Sequence, residues 1–209
     1  MQMLNPMAEG ENELAKSYWR EHRTIAAEIE GSFSVVAPSL DNYAVYGTQF
    51  EKIIYQACVG IESLFNKILS DNGHRSRDAG MTTFVKLRAW LCVQEYTLEV
   101  VHYPWLPDLH PFKDWHASHP SRTLPWFNAY NALKHDRQNN RSLASLENSL
   151  NATAAHYVMT FAVFGGQMFP GYLSDQFFFH FRGRPTWTED DWYAPPPPGA
   201  QWTPQPLSL

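Results

Sequence analysis

Residues 41–71 read DNYAVYGTQFEKIIYQACVGIESLFNKILSD, and this stretch decides the fold class. Large apolar side chains recur in it at steps of three and four residues, which is the spacing of one face of an α-helix. Asn72 and Gly73 follow as a helix stop. A long amphipathic helix of this kind is typical of the scaffold of a helical bundle. The side chains of its stripe are Tyr46, Phe50, Ile53, Ala57, Ile61, Leu64 and Ile68, widened by Ile54 and Phe65.

The same periodicity predicts more helices on both sides of this one. Pro125 suits the first position of a helix, and Thr123 or Ser121 is placed to cap it. We therefore predict an all-α bundle of four to five helices over residues 12–170, preceded by a flexible segment, residues 1–11. The predicted additional helices are Glu13–Ile29, Thr82–Val101, Pro125–Arg137 and one from a Ser142 cap to Phe164.

The C-terminal part differs in composition from the bundle. Residues 175–182 read DQFFFHFR, whose aromatic density predicts a β-strand, with residues 186–193 as its hairpin partner. An isolated hairpin is only marginally stable, so we expect it to lie against the bundle or a second subunit. Residues 195–198 are prolines. The prediction is a β-hairpin appendage over residues 171–194 and an extended Pro-rich tail over residues 195–209.

Composition and the absence of several motifs exclude some common classes of protein. The chain has a net charge of −5, and its two cysteines, Cys58 and Cys92, lie in apolar helical patterns without a CxxC motif. A reducing cytoplasm fits that cysteine usage, and no apolar stretch is long enough for a membrane span. P-loop, dinucleotide-binding, nucleophile-elbow and zinc-finger signatures are absent from the sequence.

Residues 125–140, PWFNAYNALKHDRQNN, carry the most reactive side chains. On a helix, Trp126, Tyr130 and Leu133 share one face, while Asn128, Asn131 and His135 share another. An imidazole titrates near neutrality and suits general acid–base catalysis. Residues 122–141 hold four basic residues and one acidic residue, a local net charge of +3. The cations suited to phosphate binding are Lys134, Arg137 and Arg141.

Two interpretations of this helix stay open from the residues alone. In the first, its aromatic face is core and Asn131 and His135 brace a neighbouring loop. In the second, the polar face is a site, and Glu62 on the edge of the helix predicted for residues 41–71 orients His135. A solvated or ion-paired Glu62 is the alternative for that carboxylate.

The run Asn131-Ala132-Leu133-Lys134-His135 resembles the hallmark of the HEPN superfamily, a group of helical domains found in RNases of toxin–antitoxin, abortive-infection and other defence systems. That hallmark is an Arg, then a polar residue that is often Asn, and then a His a few residues later. Tyr130 occupies the position of the family's Arg in this chain. The resemblance covers residues 40–168.

The resemblance implies RNA as the partner, a homodimer, and RNA cleavage that needs neither metal nor cofactor. In that mechanism His135 transfers the proton, Asn131 orients it or binds the phosphate, and Lys134 and Arg137 stabilise the developing charge. The alternative function is a catalytically inactive interaction or dimerisation module that uses the Pro-rich loop 102–121 or the C-terminal hairpin. A third hypothesis, a metal-dependent hydrolase, would use His110, His116 and His119, although their spacing matches no zinc signature.

Overall fold

The structure, a computed structural model, describes residues 9–74, 79–165 and 178–186. Most of this part of the chain is helical, and two short strands form an antiparallel pair, so the predicted helical fold class is confirmed in this coarse form. No described helix has the length and apolarity needed to cross a membrane. The helices are α1 (Glu9–Ser32), α2 (Thr48–Asp71), α3 (Met81–Phe84), α4 (Arg88–Leu91), α5 (Pro125–His135) and α6 (Leu146–Phe164), and the strands are β1 (Thr97–Val100) and β2 (Phe179–Gly183).

Helix α2 is the scaffold that its sequence predicts, and it packs against α6, α1 and α5. The stripe from Phe50 to Ile68 is fully buried. The helix begins at Thr48 rather than at the predicted Asp41. The reason is tertiary: Gly47 N–H donates to the Ala144 carbonyl at 3.1 Å, and Leu146 N–H donates to the Val45 carbonyl at 2.8 Å. These bonds hold residues 45–47 extended beside the start of α6.

Helix α1 contains the predicted helix Glu13–Ile29 and is longer at both ends. It begins at Glu9, within the segment predicted to be flexible, and it ends at Ser32. The rest of that predicted segment, residues 1–8, lies outside the described residues. Ile25 and Ile29 are buried, as their helical spacing predicts.

Helix α6 is buried almost all round, because α1, α2 and α5 pack against it. Its cap is Ser145, whose hydroxyl accepts a hydrogen bond from Asn148 N–H at 3.2 Å. The predicted cap, Ser142, lies instead in a 3₁₀ turn over Arg141–Leu143. The sequence prediction was wrong by three positions because both serines precede apolar residues with helical spacing.

The predicted helix Thr82–Val101 is wrong. Helices α3 and α4 occupy only its first half, joined by a 3₁₀ turn, and Cys92 then adopts a left-handed φ of 47°. Residues 97–100 form β1, in which Leu98 and Val100 are buried while Thr97 and Glu99 are half-buried. Side chains in these residues alternate between buried and half-buried positions, and they pair with a strand far along the chain. Both effects outweigh the helical spacing of the apolar residues.

The predicted C-terminal strand is confirmed, and the observed strand β2 spans Phe179–Gly183. Its partner among the described residues is β1, in antiparallel register with Leu98 opposite Phe181 and Val100 opposite Phe179. The Phe181 ring lies 5.0 Å from the Tyr157 ring and 4.6 Å from the Phe161 ring, measured between centroids, which seats the sheet on α6. The predicted hairpin partner, residues 186–193, lies outside the described residues except for its first residue, and so does the Pro-rich tail.

The Pro-rich loop over residues 102–121 contributes to the core. Phe112 and Trp115 are fully buried. The Trp126 indole N–H donates to the Pro111 carbonyl at 2.8 Å, and the Trp115 indole N–H donates to the Pro120 carbonyl at 3.1 Å. The loop therefore braces the N-terminal end of α5, away from His135 at the other end.

Candidate functional site

Helix α5 carries every predicted site residue except Glu62, Arg137 and Arg141. Pro125 takes the first turn as predicted, but the N-cap is Leu124, in extended conformation and without a capping side chain. The predicted cap Thr123 is used elsewhere, since its hydroxyl donates to the His119 carbonyl at 3.2 Å. The helix ends at His135, because the Asn140 amide donates to the Asp136 carbonyl at 2.7 Å and the Asn139 amide to the Asp136 carboxylate at 2.7 Å.

Tyr130 lies on the core face of α5 and is 3% exposed. Its hydroxyl donates to Glu62 Oε2 at 3.0 Å, a contact between α5 and α2. Burial and then the neighbouring Glu62 carboxylate raise the pKa of Tyr130, so the phenol stays a neutral donor. The residue that stands where the HEPN-type pattern has Arg is therefore part of the core. Glu62 accepts from Tyr130, and among the described residues no hydrogen bond or ion pair joins Glu62 to His135.

The polar face of α5 is placed as predicted. Asn128 and His135 are exposed and Asn131 is half-buried. Asn131 and His135 are one helical turn apart, which makes them neighbours on the surface. The Lys134 ammonium lies over the Tyr130 ring, 5.4 Å from its centroid. Among the described residues, no hydrogen bond holds the His135 ring, so its imidazole is free to meet a ligand.

Beyond the end of α5, the chain brings Arg137 and Arg141 together. Both line an open cavity of about 230 Å³ with Glu51. Arg137 Nε contacts Glu51 Oε1 at 2.7 Å, and that carboxylate is mostly buried while the guanidinium is exposed. Arg141 forms no ion pair with any residue in the described ranges. The remaining lining residues are Tyr46, Gly47, Thr48 and Ala144.

The position of this cavity adds to its positive potential. Thr48 begins α2, and the N-terminal end of a helix carries partial positive charge from N–H groups that lack a partner within the helix. Gly47, the N-cap residue, has no side chain with which to cap them. Two guanidinium groups and one helix terminus therefore face a single carboxylate.

Sequence reasoning misses two residues of this cavity. Periodicity assigns Tyr46 to the core stripe of the long helix, but its side chain is 57% exposed. The same periodicity places Glu51 on the flank of that stripe, without a link to Arg137. The signal that finds both is Gly47, because a glycine inside a helical pattern marks a possible boundary. Starting the helix after Gly47 places Tyr46 outside the core and Glu51 in the first turn.

The three loop histidines are exposed and lie near the N-terminal end of α5. His110 Nδ1 contacts the Thr97 hydroxyl at 3.1 Å. Within residues 9–74, 79–165 and 178–186 no three His, Cys, Asp or Glu side chains are grouped so that they could hold a metal ion. The metal-hydrolase hypothesis therefore has no ligand cluster in this part of the chain.

Comparison with known proteins adds no relative, because no family model, no curated protein and no solved structure matches the chain. The resemblance to the HEPN superfamily thus stands on the motif Asn131 to His135 and on the helical fold alone.

Proposed function

We propose that the protein binds RNA through the surface at the C-terminal end of α5, and that His135 transfers the proton in cleavage of the bound strand. This cationic surface consists of Lys134, His135, Arg137 and Arg141. The observation that carries the proposal is the combination of an exposed imidazole with three cations at one end of one helix, on a chain whose net charge is −5. With the carboxylates of Asp136 and Glu51 counted against these three cations, the surface keeps a net charge of +1, which favours an anionic partner.

The chemistry requires two things that this surface offers, a base and a cation. Attack of a ribose 2′-oxygen on the adjacent phosphorus needs removal of the 2′-proton, which a neutral imidazole accepts. The bond from phosphorus to the 5′-oxygen then breaks, and that oxygen takes up a proton. The products are a 2′,3′-cyclic phosphate and a free 5′-hydroxyl, so no redox partner is involved. A nearby cation stabilises the charge that develops on the phosphoryl oxygens.

Lys134 is the cation best placed to take the part that the HEPN-type pattern gives to Arg. Tyr130 itself is buried and hydrogen-bonded to Glu62, so it contributes no charge. The Lys134 ammonium lies over that same ring, 5.4 Å from the centroid, and its side chain is exposed. Lys134 directly precedes His135 in the last turn of α5. The two groups are therefore in the same turn of α5, about 100° apart around the helix axis.

The test compares His135→Ala and His135→Gln with the wild type on a mixed single-stranded RNA in a buffer that contains a metal chelator. We expect cleavage to fall by about 10²–10⁴-fold in both variants, the usual contribution of a general acid or base. RNA binding should persist, because the three cations remain. Cleavage fragments should carry the cyclic phosphate and the 5′-hydroxyl.

The matched control is His116→Ala, which removes another exposed histidine, on loop 102–121 beside the N-terminal end of α5. It should leave cleavage unchanged. Wild-type protein that leaves varied RNAs intact would refute the catalytic part of the proposal. Wild-type protein that also fails to bind RNA would refute the whole of it.

A second candidate function, association of two copies of this chain, has its own observation. Val35, Leu40 and Trp105 are exposed apolar side chains, and Trp105 joins loop 102–121 to the segment after α1 by donating its indole N–H to the Pro38 carbonyl at 2.7 Å. Val35 and Leu40 lie on either side of Pro38 in the sequence, and exposed apolar groups close to one another favour a protein interface. Sedimentation equilibrium should show a dimer that Trp105→Ser weakens. A monomer at all concentrations would exclude this candidate.

A further inference from the structure

The cavity beyond α5 has walls that are fixed by backbone hydrogen bonds. Residues 43–47 run beside residues 144–147, since Glu147 N–H donates to the Tyr43 carbonyl at 3.1 Å and Leu146 N–H donates to the Val45 carbonyl at 2.8 Å. Gly47 N–H completes the pairing with the Ala144 carbonyl at 3.1 Å. Arg141 lies in the 3₁₀ turn directly before this pairing. The backbone walls of the cavity are therefore part of the fold itself.

Arg137 and Arg141 have guanidinium N–H groups that are not bonded to any described residue. The ion pair between Arg137 and Glu51 uses Nε of the guanidinium and leaves both terminal nitrogens of that planar fork for an oxyanion. Burial of Glu51 fixes the carboxylate, and the carboxylate in turn orients Arg137. Arg141 has no ion-pair partner among the described residues. Two guanidinium charges against one carboxylate leave an excess of one positive charge, which a phosphodiester would neutralise.

The exposed Tyr46 ring stands at the same cavity. A volume of about 230 Å³ accepts a phosphate group, and because the cavity is open, a base attached to that phosphate can lie against the Tyr46 ring at its wall. A phenol face that is not covered by protein is a platform on which an unstacked base can lie. Duplex RNA keeps its bases stacked on one another, so the arrangement favours a single strand.

We infer that the cavity of Arg137, Arg141 and Tyr46 is a phosphate-binding subsite for single-stranded RNA, in which the arginines hold one backbone phosphate and Tyr46 stacks on the adjoining base. The inference rests on the proposed function and specifies its substrate class. Arg137 and Arg141 thereby position the strand, and His135 at the end of α5 meets the neighbouring ribose.

The experiment measures binding of an eight-nucleotide oligoadenylate by fluorescence anisotropy, using the full chain with His135→Ala so that the strand is not cut. Arg141→Gln should weaken binding about tenfold or more, and Tyr46→Ala by a similar factor. Arg122→Gln is the control, because Arg122 is an exposed arginine near the other end of α5. An abasic oligomer of the same length should bind equally to the Tyr46→Ala variant and its parent.

Gly47 offers a variant that separates binding from folding. Its backbone is extended, and no atom lies within 4 Å of the position that a Cβ would take, so a side chain fits there. Gly47→Asp places a capping carboxylate at the start of α2, which should raise the melting temperature while it repels the phosphate. Oligoadenylate binding should therefore fall about tenfold although the fold is more stable. Gly47→Ala separates the added volume from the added charge, and it should bind oligoadenylate more tightly than Gly47→Asp.

The outcomes separate this inference from the proposed function. Oligoadenylate bound by the parent but unaffected by Arg141→Gln, Tyr46→Ala and Gly47→Asp would overturn the subsite while RNA binding stands. An equal affinity for duplex and single strand would overturn the assignment of substrate class. A parent protein that binds no oligonucleotide would refute the proposed function itself, and the subsite with it.

Discussion

His22 and His156 lie in the core, whereas His135 lies at the surface. The fold therefore buries two imidazoles and leaves the third in contact with solvent. The two core imidazoles stack with their centroids 5.7 Å apart and their planes inclined by 12°, between α1 and α6. Burial lowers the pKa of His156 to about 4, and it lowers the pKa of His22 well below the ordinary value, with His156 adding to the shift. These histidines are neutral structural groups, whereas the His135 side chain is exposed to solvent.

The core pair is incompletely satisfied. His22 Nδ1 and His156 Nε2 have no hydrogen-bond partner in the described part of the chain. Glu21 is the carboxylate nearest to His156, but its Oε2 lies 4.0 Å from Nε2, too far for a hydrogen bond. Gly60 of α2 closes the same space, because any side chain there would meet the His156 ring. A charge on His156 would thus be buried with only the Glu21 carboxylate, at 4.0 Å and without a hydrogen bond, to compensate it.

The largest effect that distinguishes the two regions is the dependence of stability on pH. The fold holds His22 and His156 neutral, while the unfolded chain takes up protons near pH 6.5. The unfolded state therefore binds more protons as the pH falls. The free energy of unfolding should be highest above pH 6.5 and decrease from pH 6.5 towards pH 4, by up to about 1.4 kcal/mol per pH unit for each histidine.

Urea unfolding between pH 5 and pH 7.5 measures this slope. His156→Gln should remove about half of it. Burial raises the pKa of Glu21, so protonation of that carboxyl offsets part of the loss at the acid end. A stability that is flat from pH 7 to pH 5 would show that the core imidazoles are not held neutral.

Gly60→Ala is the next test of the core region. A Cβ at this position would lie 2.5 Å from His156 Nε2 and 2.8 Å from its Cδ2, closer than such atoms approach without a bond between them. Alanine normally stabilises a helix relative to glycine, but overpacking here should cost roughly 1–3 kcal/mol of unfolding free energy. Chemical denaturation measures the change. Gly31→Ala in α1 is the control, since no atom lies within 4 Å of its Cβ position and the variant should be stabilised.

Tyr130→Phe tests whether Tyr130 belongs to the core or to the surface that carries His135. The change removes the hydrogen bond to Glu62 and leaves a half-buried carboxylate without its donor, which should cost about 1–2 kcal/mol. RNA binding should not change, because the phenyl ring still supports Lys134. The control is Tyr55→Phe, on a ring 5.5 Å from Tyr130 that lies on α2. A loss of RNA binding without a loss of stability would instead make Tyr130 part of the site.

Sequence reasoning predicts best those helices whose apolar residues recur regularly within one continuous segment. Helix α2 ends at Asp71 as its pattern indicates, and α5 begins at Pro125. The helix predicted for residues 82–101 fails because their conformation depends on β2, a partner that helical periodicity does not reveal. Once β1 pairs with Phe179–Gly183, the alternation of Leu98 and Val100 with Thr97 and Glu99 becomes the pattern that matters.

The candidate site likewise has one part that local sequence predicts and one part that depends on a distant contact. The polar face of α5 follows from the spacing of Asn128, Asn131 and His135 along one helix, so the sequence alone places these side chains. The cavity of Arg137, Arg141 and Tyr46 joins two segments that are distant in sequence. It depends on the pairing of residues 43–47 with residues 144–147, and no local pattern in either segment indicates that contact.

The smallest expected effect is the loss of stability in His135→Ala. The side chain is exposed, and no described group donates to its ring or accepts from it, so the free energy of unfolding should stay within about 0.5 kcal/mol of the wild type. The structural interpretation of this helix instead requires a buried partner for His135 and a cost of about 1–3 kcal/mol. Thermal unfolding of the two proteins at pH 7.5 decides between them. An unchanged melting temperature means that any change in RNA cleavage by this variant reports chemistry at the imidazole, because the helix that carries it is intact.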